Sequence, residues 1–170
     1  DKIIKKFEVI IVDDGSRDNI IEISEKLKKD GEKVVMVNGA FDLLHSGHVN
    51  FLKMAKEKGD VLFVAINSDE SIRTYKPTDR PNIPEIDRAI LVASLFFVDY
   101  VTIFKESKAL KIIKAINPDI LAKGNYYDPA RVDEEVELVK KLGGKVVKIK
   151  HPVKISTSQI IEKIRGAKIG

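Results

Sequence analysis

Asn38-Gly-Ala-Phe-Asp-Leu-Leu-His-Ser-Gly-His48 stands between the apolar run Val34-Val-Met-Val37 and the amphipathic run Val49-Asn-Phe-Leu-Lys-Met-Ala-Lys56. A short apolar run, a glycine-containing turn and a helical repeat of apolar residues read as strand, loop and helix start. Backbone N–H groups converge at the beginning of such a helix, at the positive end of its dipole, and a glycine lets a phosphate approach the main chain. Two of the chain's three histidines, His45 and His48, flank Ser46-Gly47 in this loop. Their imidazoles can donate hydrogen bonds to phosphate oxygens without acting as nucleophiles.

Outward from this loop the pattern repeats. Apolar runs at Val34–Val37, Val61–Ile66, Tyr100–Phe104, Ile120–Ala122 and Val146–Ile149 are predicted strands. Helical spacing covers Val49–Lys58, Pro84–Phe97, Lys108–Ile116 and Val132–Lys141, with Gly59, Asn117-Pro118 and Gly143-Gly144 as stop signals. Alternating strands and helices predict an α/β fold, a Rossmann-like, doubly wound parallel sheet of about five strands. Ligands of such sheets bind beyond the carboxyl ends of the strands. Four polar segments are expected there: the histidine loop, Asn67-Ser68-Asp69, Lys123-Gly124-Asn125 and Ile155-Ser-Thr-Ser158. Ser71–Pro84, with prolines at 77, 81 and 84, reads as an irregular loop over the site.

Ahead of the regular pattern, Phe7–Asn19 reads as a short strand and polar turn, followed by a helix over Ile20–Lys29 that Gly31 ends. A boundary near Gly31 divides an N-terminal strand-turn-helix extension, 1–31, from a main domain, 32–170. The Asp13-Asp-Gly-Ser16 turn resembles the nucleotide-sugar-binding turn of family-2 inverting glycosyltransferases over about a dozen residues. The later acidic metal site that such enzymes need has no counterpart downstream, so a structural role for this segment is the expectation.

Composition narrows the classes of function. A chain of 170 residues is long enough for one substantial core, and no apolar run approaches a membrane span. Without cysteine there is no disulfide, thiolate metal site or cysteine nucleophile. The net charge of +4 arises from 30 basic and 26 acidic residues dispersed along the chain, which does not indicate a nucleic-acid partner. A cytoplasmic location is the default expectation, with no membrane partner.

The histidine loop together with Ile155-Ser-Thr-Ser158 resembles the nucleotidylyltransferase superfamily, whose signatures are H-x-G-H and a hydroxyl-rich start to the final helix. The resemblance covers about Glu32 to Arg165. Within that superfamily, Ala65–Ser71, Arg80-Pro81, Arg88, Val98-Asp-Tyr-Val101, Pro118-Asp119 and Lys123-Gly124 look most like heptose 1-phosphate adenylyltransferases. The Ile-Ser-Thr-Ser element is as close to glycerol-3-phosphate cytidylyltransferases. The chain departs from these patterns at Pro77, at Asn125-Tyr126-Tyr127 and at Pro152-Val153-Lys154.

The resemblance implies in-line attack by an acceptor phosphate on the α-phosphorus of ATP or CTP, with magnesium as cofactor and pyrophosphate as leaving group. It implies catalytic roles for His45 and His48. Gly39, Ala40 and Phe41 are expected at the nucleotide and Lys123 beside it. Arg88, Ser156, Thr157 and Ser158 are expected at the β- and γ-phosphates, and Lys76 at a small phosphorylated acceptor. Asp42 is open between supporting the histidine loop and holding magnesium through water. A homodimer is also implied. The other readings are a nucleotide-binding module without turnover, a glycosyltransferase fragment using Asp13-Asp14, and a zinc site built from His45, His48 and Asp42.

Overall fold

The computed structural model describes residues 8–9, 17–76, 79–124, 129–150 and 155–166. The Asp13-Asp14 turn, Pro77, Asn125-Tyr126-Tyr127, His151 and Lys154 lie outside the described residues. In chain order the elements are β1 (Glu8–Val9), α1 (Arg17–Lys29), β2 (Val34–Gly39), α2 (Ser46–Lys56), β3 (Val61–Asn67), α3 (Asp69–Arg73) and α4 (Glu85–Ala93). They continue with β4 (Tyr100–Phe104), α5 (Leu110–Ile116), β5 (Ile120–Lys123), α6 (Pro129–Lys141), β6 (Lys145–Lys148) and α7 (Thr157–Gly166).

All strand pairs are parallel, in the order β1-β4-β3-β2-β5-β6. The doubly wound parallel architecture is the one the sequence pattern predicts. Its sixth strand is β1, which pairs Glu8 with Tyr100 and Val9 with Val101.

Each face of the sheet follows from the alternation of side chains along a strand. Val35 and Val37 of β2 join Leu62, Val64 and Ile66 of β3 beneath Leu52 and Ala55 of α2 and Ala89 and Val92 of α4. Val34 and Met36 join Phe63 and Ala65 on the opposite face beneath Ile20 of α1, Ile112, Ile113 and Ile116 of α5 and Val139 of α6. Strands buried on both faces must be apolar throughout, and Val61–Asn67 is buried at all seven positions.

The chain runs outward from β2 through β3 to β4, then returns by α5 to pair β5 on the other side of β2. Neighbouring connections therefore leave β2 and β5 towards opposite faces, and a crevice opens between their carboxyl ends.

Two local features differ from the sequence reading. Ser71–Arg73, expected to be irregular, lie in α3, because the Ser68 hydroxyl accepts from Ser71 N at 3.0 Å and starts a short helix. Asp69 and Glu70 in its first turn suit the helix dipole. Helix α2 starts at Ser46, three residues before the apolar repeat, because His45 supplies its cap.

Asp99 has a structural role. Its Oδ2 accepts from Leu62 N at 2.8 Å and from Lys56 Nζ at 2.5 Å. The expected boundary at Gly31 falls at the turn between α1 and β2, where Gly31 has φ +79°. Helix α1 is fixed to the body by fully buried Ile20 and by a hydrogen bond from the Ser24 hydroxyl to Ile116 O. Helix α7 contributes no buried residue.

Replacing Ile20 by Ala is expected to lower unfolding free energy by about 2–4 kcal/mol, as for a large aliphatic side chain lost from a core. Urea denaturation measures this directly. A loss below about 0.5 kcal/mol, the range of ordinary surface substitutions, would show that α1 does not share the core's stability.

Candidate active site

A cavity of about 560 Å³ opens at the carboxyl ends of β2 and β5. One wall is Asn38–Asp42 together with His45, Gly47, His48 and Phe51. A second comes from Asn67, Ile72, Tyr75, Lys76 and Arg80, and a third from Ala122–Gly124 with Glu135. Ile155–Ser158, at the start of α7, complete it.

His45 is the N-cap of α2. Its Nδ1 accepts from Gly47 N at 3.1 Å and from His48 N at 3.4 Å. An accepting Nδ1 places the proton of the neutral ring on Nε2, which makes Nε2 the donor. The His45 and His48 rings stack with centroids 3.8 Å apart, and the Phe41 ring meets His48 edge-on at 5.2 Å.

Gly47 permits this arrangement. A Cβ there would lie 2.9 Å from the His45 ring and 3.1 Å from Ile155 O, so the histidine loop and the start of α7 close on each other across a position with no side chain. Phe41 has φ +48°, and its buried ring would stand 3.2 Å from a Cβ on Gly39. The strained backbone at Phe41 thus places an aromatic ring under the histidines.

The last wall is the start of α7. Ser156 Oγ accepts from Gln159 N at 3.3 Å, and Gln159 Oε1 accepts from Ser156 N at 2.9 Å. This reciprocal cap orders Ser156, Thr157 and Ser158 at the positive end of the helix.

Two ion pairs border the cavity. Lys123 Nζ donates to Glu135 Oε2 at 2.6 Å and to Asn38 Oδ1 at 2.7 Å. Glu135 is 3% exposed, and its Oε1 also accepts from Ala109 N at 2.8 Å. The network joins the ends of β2 and β5 to α6 and to the start of α5. Asp42 Oδ2 accepts from Arg80 Nη1 at 2.5 Å and Asn82 Nδ2 at 2.8 Å, and Oδ1 from Asn82 N at 2.6 Å and Ile83 N at 3.2 Å. Burial works to raise the Asp42 carboxyl, but Arg80, the Asn82 side chain and the two backbone N–H groups together hold it below the ordinary value of 3.8.

The cavity gathers His45, His48, Gly39, Ala40, Phe41, Lys76, Lys123, Ser156, Thr157 and Ser158. It leaves out Arg88. That side chain is fully buried and donates from Nε to Ile83 O at 2.9 Å, from Nη1 to Ala40 O at 2.5 Å and from Nη2 to Asp69 Oδ1 at 2.6 Å. The structure places it behind the loop that follows β2, bracing Ala40, rather than on the cavity surface.

Asp42 supports the histidine loop by tying it to residues 80–83, and among the described residues there is no group of three or more metal-ligating side chains. Glu135 went unrecognised in the sequence. Its signal is a carboxylate four residues before buried Val139, on the stripe of α6 that faces the sheet.

A model of cytidylyltransferase-like proteins matches residues 36–163. The chain belongs to the cytidylyltransferase-like family. It is 41% identical over 144 residues to the bifunctional protein HldE of Desulfatibacillum aliphaticivorans, covering 85% of this chain and 29% of that protein. The HldE of Geotalea uraniireducens is 43% identical over 152 residues, covering 89% of this chain and 31% of the relative. The chain thus spans less than a third of the length of these curated relatives.

Among solved structures, a lipopolysaccharide core biosynthesis protein from Thermoplasma volcanium GSS1 superposes with a TM-score of 0.59 at 32% identity, over 71% of this chain and 96% of that one. A pantoate-beta-alanine ligase from Francisella tularensis shares the fold, with a TM-score of 0.64 at 18% identity over 93% of this chain and 77% of that one.

The Asp42 clamp makes a pH prediction. A carboxylate whose pKa is depressed by folding stabilises the native state above its unfolded pKa, about 3.9, and loses that contribution as pH falls through the folded value. Below about pH 4 the unfolding free energy of Asp42→Asn should therefore decline less steeply than that of the parent. Urea titrations at stepped pH measure the difference, and parallel slopes would remove Asp42 from the acid response.

Proposed function

We propose that this chain is a nucleotidylyltransferase that joins a nucleoside monophosphate, from ATP or CTP, to a small phosphorylated acceptor and releases pyrophosphate. A sugar 1-phosphate such as heptose 1-phosphate, or glycerol 3-phosphate, is the acceptor class. The observation that carries this reading is the meeting, across Gly47, of the His45/His48 loop with the hydroxyl-bearing start of α7 in one cavity. Two helix N-termini and two imidazole donors facing a common space suit a polyphosphate. Membership of the cytidylyltransferase-like family and the likeness to a lipopolysaccharide core biosynthesis protein support the same reaction class.

In this mechanism an ionised acceptor phosphate needs no general base, so catalysis is positioning and charge stabilisation. His45 is oriented by its N-cap bonds and His48 by stacking between His45 and Phe41. Both would donate to the α- and β-phosphates as charge accumulates. Ser156, Thr157 and Ser158 would hold the outer phosphates, while Gly39, Ala40, Phe41 and Lys123 would border the nucleotide. Lys76 would meet the acceptor.

Magnesium would neutralise the triphosphate. Asp42 is engaged by Asn82 and Ile83 N as well as Arg80, and Glu135 by Lys123 and Ala109 N, so the triphosphate rather than these carboxylates would hold the ion. No helix among the described residues is long and apolar enough to cross a membrane, and a cytoplasmic homodimer completes the proposal. Exposed Ile86, Ile90 and Phe96 offer apolar surface for a second copy.

The test is pyrophosphate release, with product mass, across a matrix of triphosphates and phosphorylated acceptors in the presence of magnesium. His48→Ala should lower kcat about 100-fold to 1000-fold, as when one transition-state donor is lost, with the melting temperature nearly unchanged. His45→Ala should lower kcat comparably and also cost about 0.5–2 kcal/mol of stability, because it removes the N-cap of α2. Full activity in either variant would remove that histidine from the mechanism. Thermal stabilisation by a triphosphate without pyrophosphate release would favour a binding module instead.

A further inference from the structure

Two arginines, Arg80 and Arg88, are carried by the same connection between β3 and β4, and the structure uses them in opposite ways. Arg88 is fully buried, and its three nitrogens hold two carbonyls and a carboxylate. Turning it towards a ligand would break three part-buried hydrogen bonds at once, to Ile83 O, Ala40 O and Asp69, and draw a fully buried guanidinium out of its packing. Arg80 lines the cavity with its side chain 11% exposed, and among the described residues Asp42 is its one hydrogen-bond partner, through Nη1. A guanidinium has five N–H donors in a rigid fork, so most of Arg80's donor capacity is uncommitted among those residues.

Asp42 does not depend on Arg80 alone. It also accepts from Asn82 N, Asn82 Nδ2 and Ile83 N, and these three bonds remain if Arg80 turns away. Exchanging a carboxylate for a phosphate therefore breaks one hydrogen bond at Arg80, with three others still on Asp42, and three at Arg88. Lys123 differs again. Without it, Glu135, whose side chain is 4% exposed, would keep Ala109 N and only the long contacts from Asn38 Nδ2, at 3.3 and 3.4 Å.

We infer that Arg80 is a phosphate-binding residue of this site, that it shares the acceptor's phosphate with Lys76, and that Asp42 holds its guanidinium in place until the acceptor arrives. This rests on the nucleotidylyltransferase reading. The acceptor is assigned because Arg80 and Lys76 share the wall built by the connection that follows β3, whereas the groups proposed for the triphosphate stand at the starts of α2 and α7. A fork that presents paired N–H groups to phosphate oxygens also orients the acceptor, which a point charge such as lysine does not.

The experiment is steady-state kinetics of the full chain with magnesium, a saturating triphosphate and a varied sugar 1-phosphate, comparing the parent with Arg80→Lys. That variant keeps a cation beside Asp42 but loses the fork. The acceptor KM should rise about 10-fold to 100-fold, the worth of one or two charge-assisted hydrogen bonds, while the triphosphate KM stays within about two-fold. An unchanged acceptor KM, or a rise in the triphosphate KM instead, overturns the proposal.

Should Arg80→Lys fail to fold, Arg80→Met with Asp42→Asn removes both charges together and is read by the same two constants. A second arm needs no turnover: isothermal titration of the ligand-free protein with inorganic phosphate, where Arg80→Lys should weaken binding about tenfold. Equal affinity, or no phosphate binding by the parent, overturns the proposal. Absence of pyrophosphate release from the parent is a failure of the functional reading, and the phosphate titration still decides Arg80.

Discussion

The central strand β2 constrains everything else in this protein. It is hydrogen-bonded to β3 on one side and β5 on the other, and Val34–Val37 are buried alternately against the two helical layers. Neither an edge nor a face of this strand reaches solvent, so polar chemistry can leave it only at its end. Asn38 is where that happens, and within ten residues the chain supplies the Lys123 partner, the carbonyl braced by Arg88, the Asp42 clamp and both histidines. The crevice between β2 and β5 is the geometric outcome of winding the chain outward from the middle of the sheet.

Around that crevice the charged groups divide into architecture and working surface. Arg88, Asp69 and Asp99 are consumed in holding connections to the sheet. Glu135 is buried against Lys123 and the start of α5, so a single carboxylate aligns three elements and sets the position of a cavity lysine. A buried pair of this kind adds little net stability over a well-packed apolar alternative, but removing one partner leaves a charge without compensation. Such a pair fixes the position of the Lys123 ammonium at the cavity wall more than it fixes the fold.

Much of this was legible in the sequence because it depends on short-range patterns. Alternating apolar runs disclose strands and their two buried faces, and the glycine and histidines ahead of a helix start disclose a loop that the structure brings to the cavity wall. The early start of α2 was missed because histidine is not a common cap, and α3 because a five-residue helix leaves almost no periodicity to detect. Arg88 was expected at the phosphates because its position matches a family pattern. Its burial is set by two carbonyls and a carboxylate that are distant in sequence. Glu135 was hidden for a related reason: what distinguishes a buried carboxylate at the cavity wall from a surface one is the lysine 12 residues away that meets it.

The absence of buried residues in α7 has a consequence for how the site opens. Among the described residues that helix is tied to the body by an exposed pair between Arg165 and Asp79, its serine–glutamine cap being internal to its own first turn, and it sinks no buried residue into the core. Few buried contacts mean a low free energy of local opening, well below that of the sheet. One wall of the cavity thus rests on an element that contributes nothing buried to the core, while the opposing histidine loop is anchored on β2. Backbone amides of α7 are thereby exposed to exchange by local opening that leaves the sheet intact.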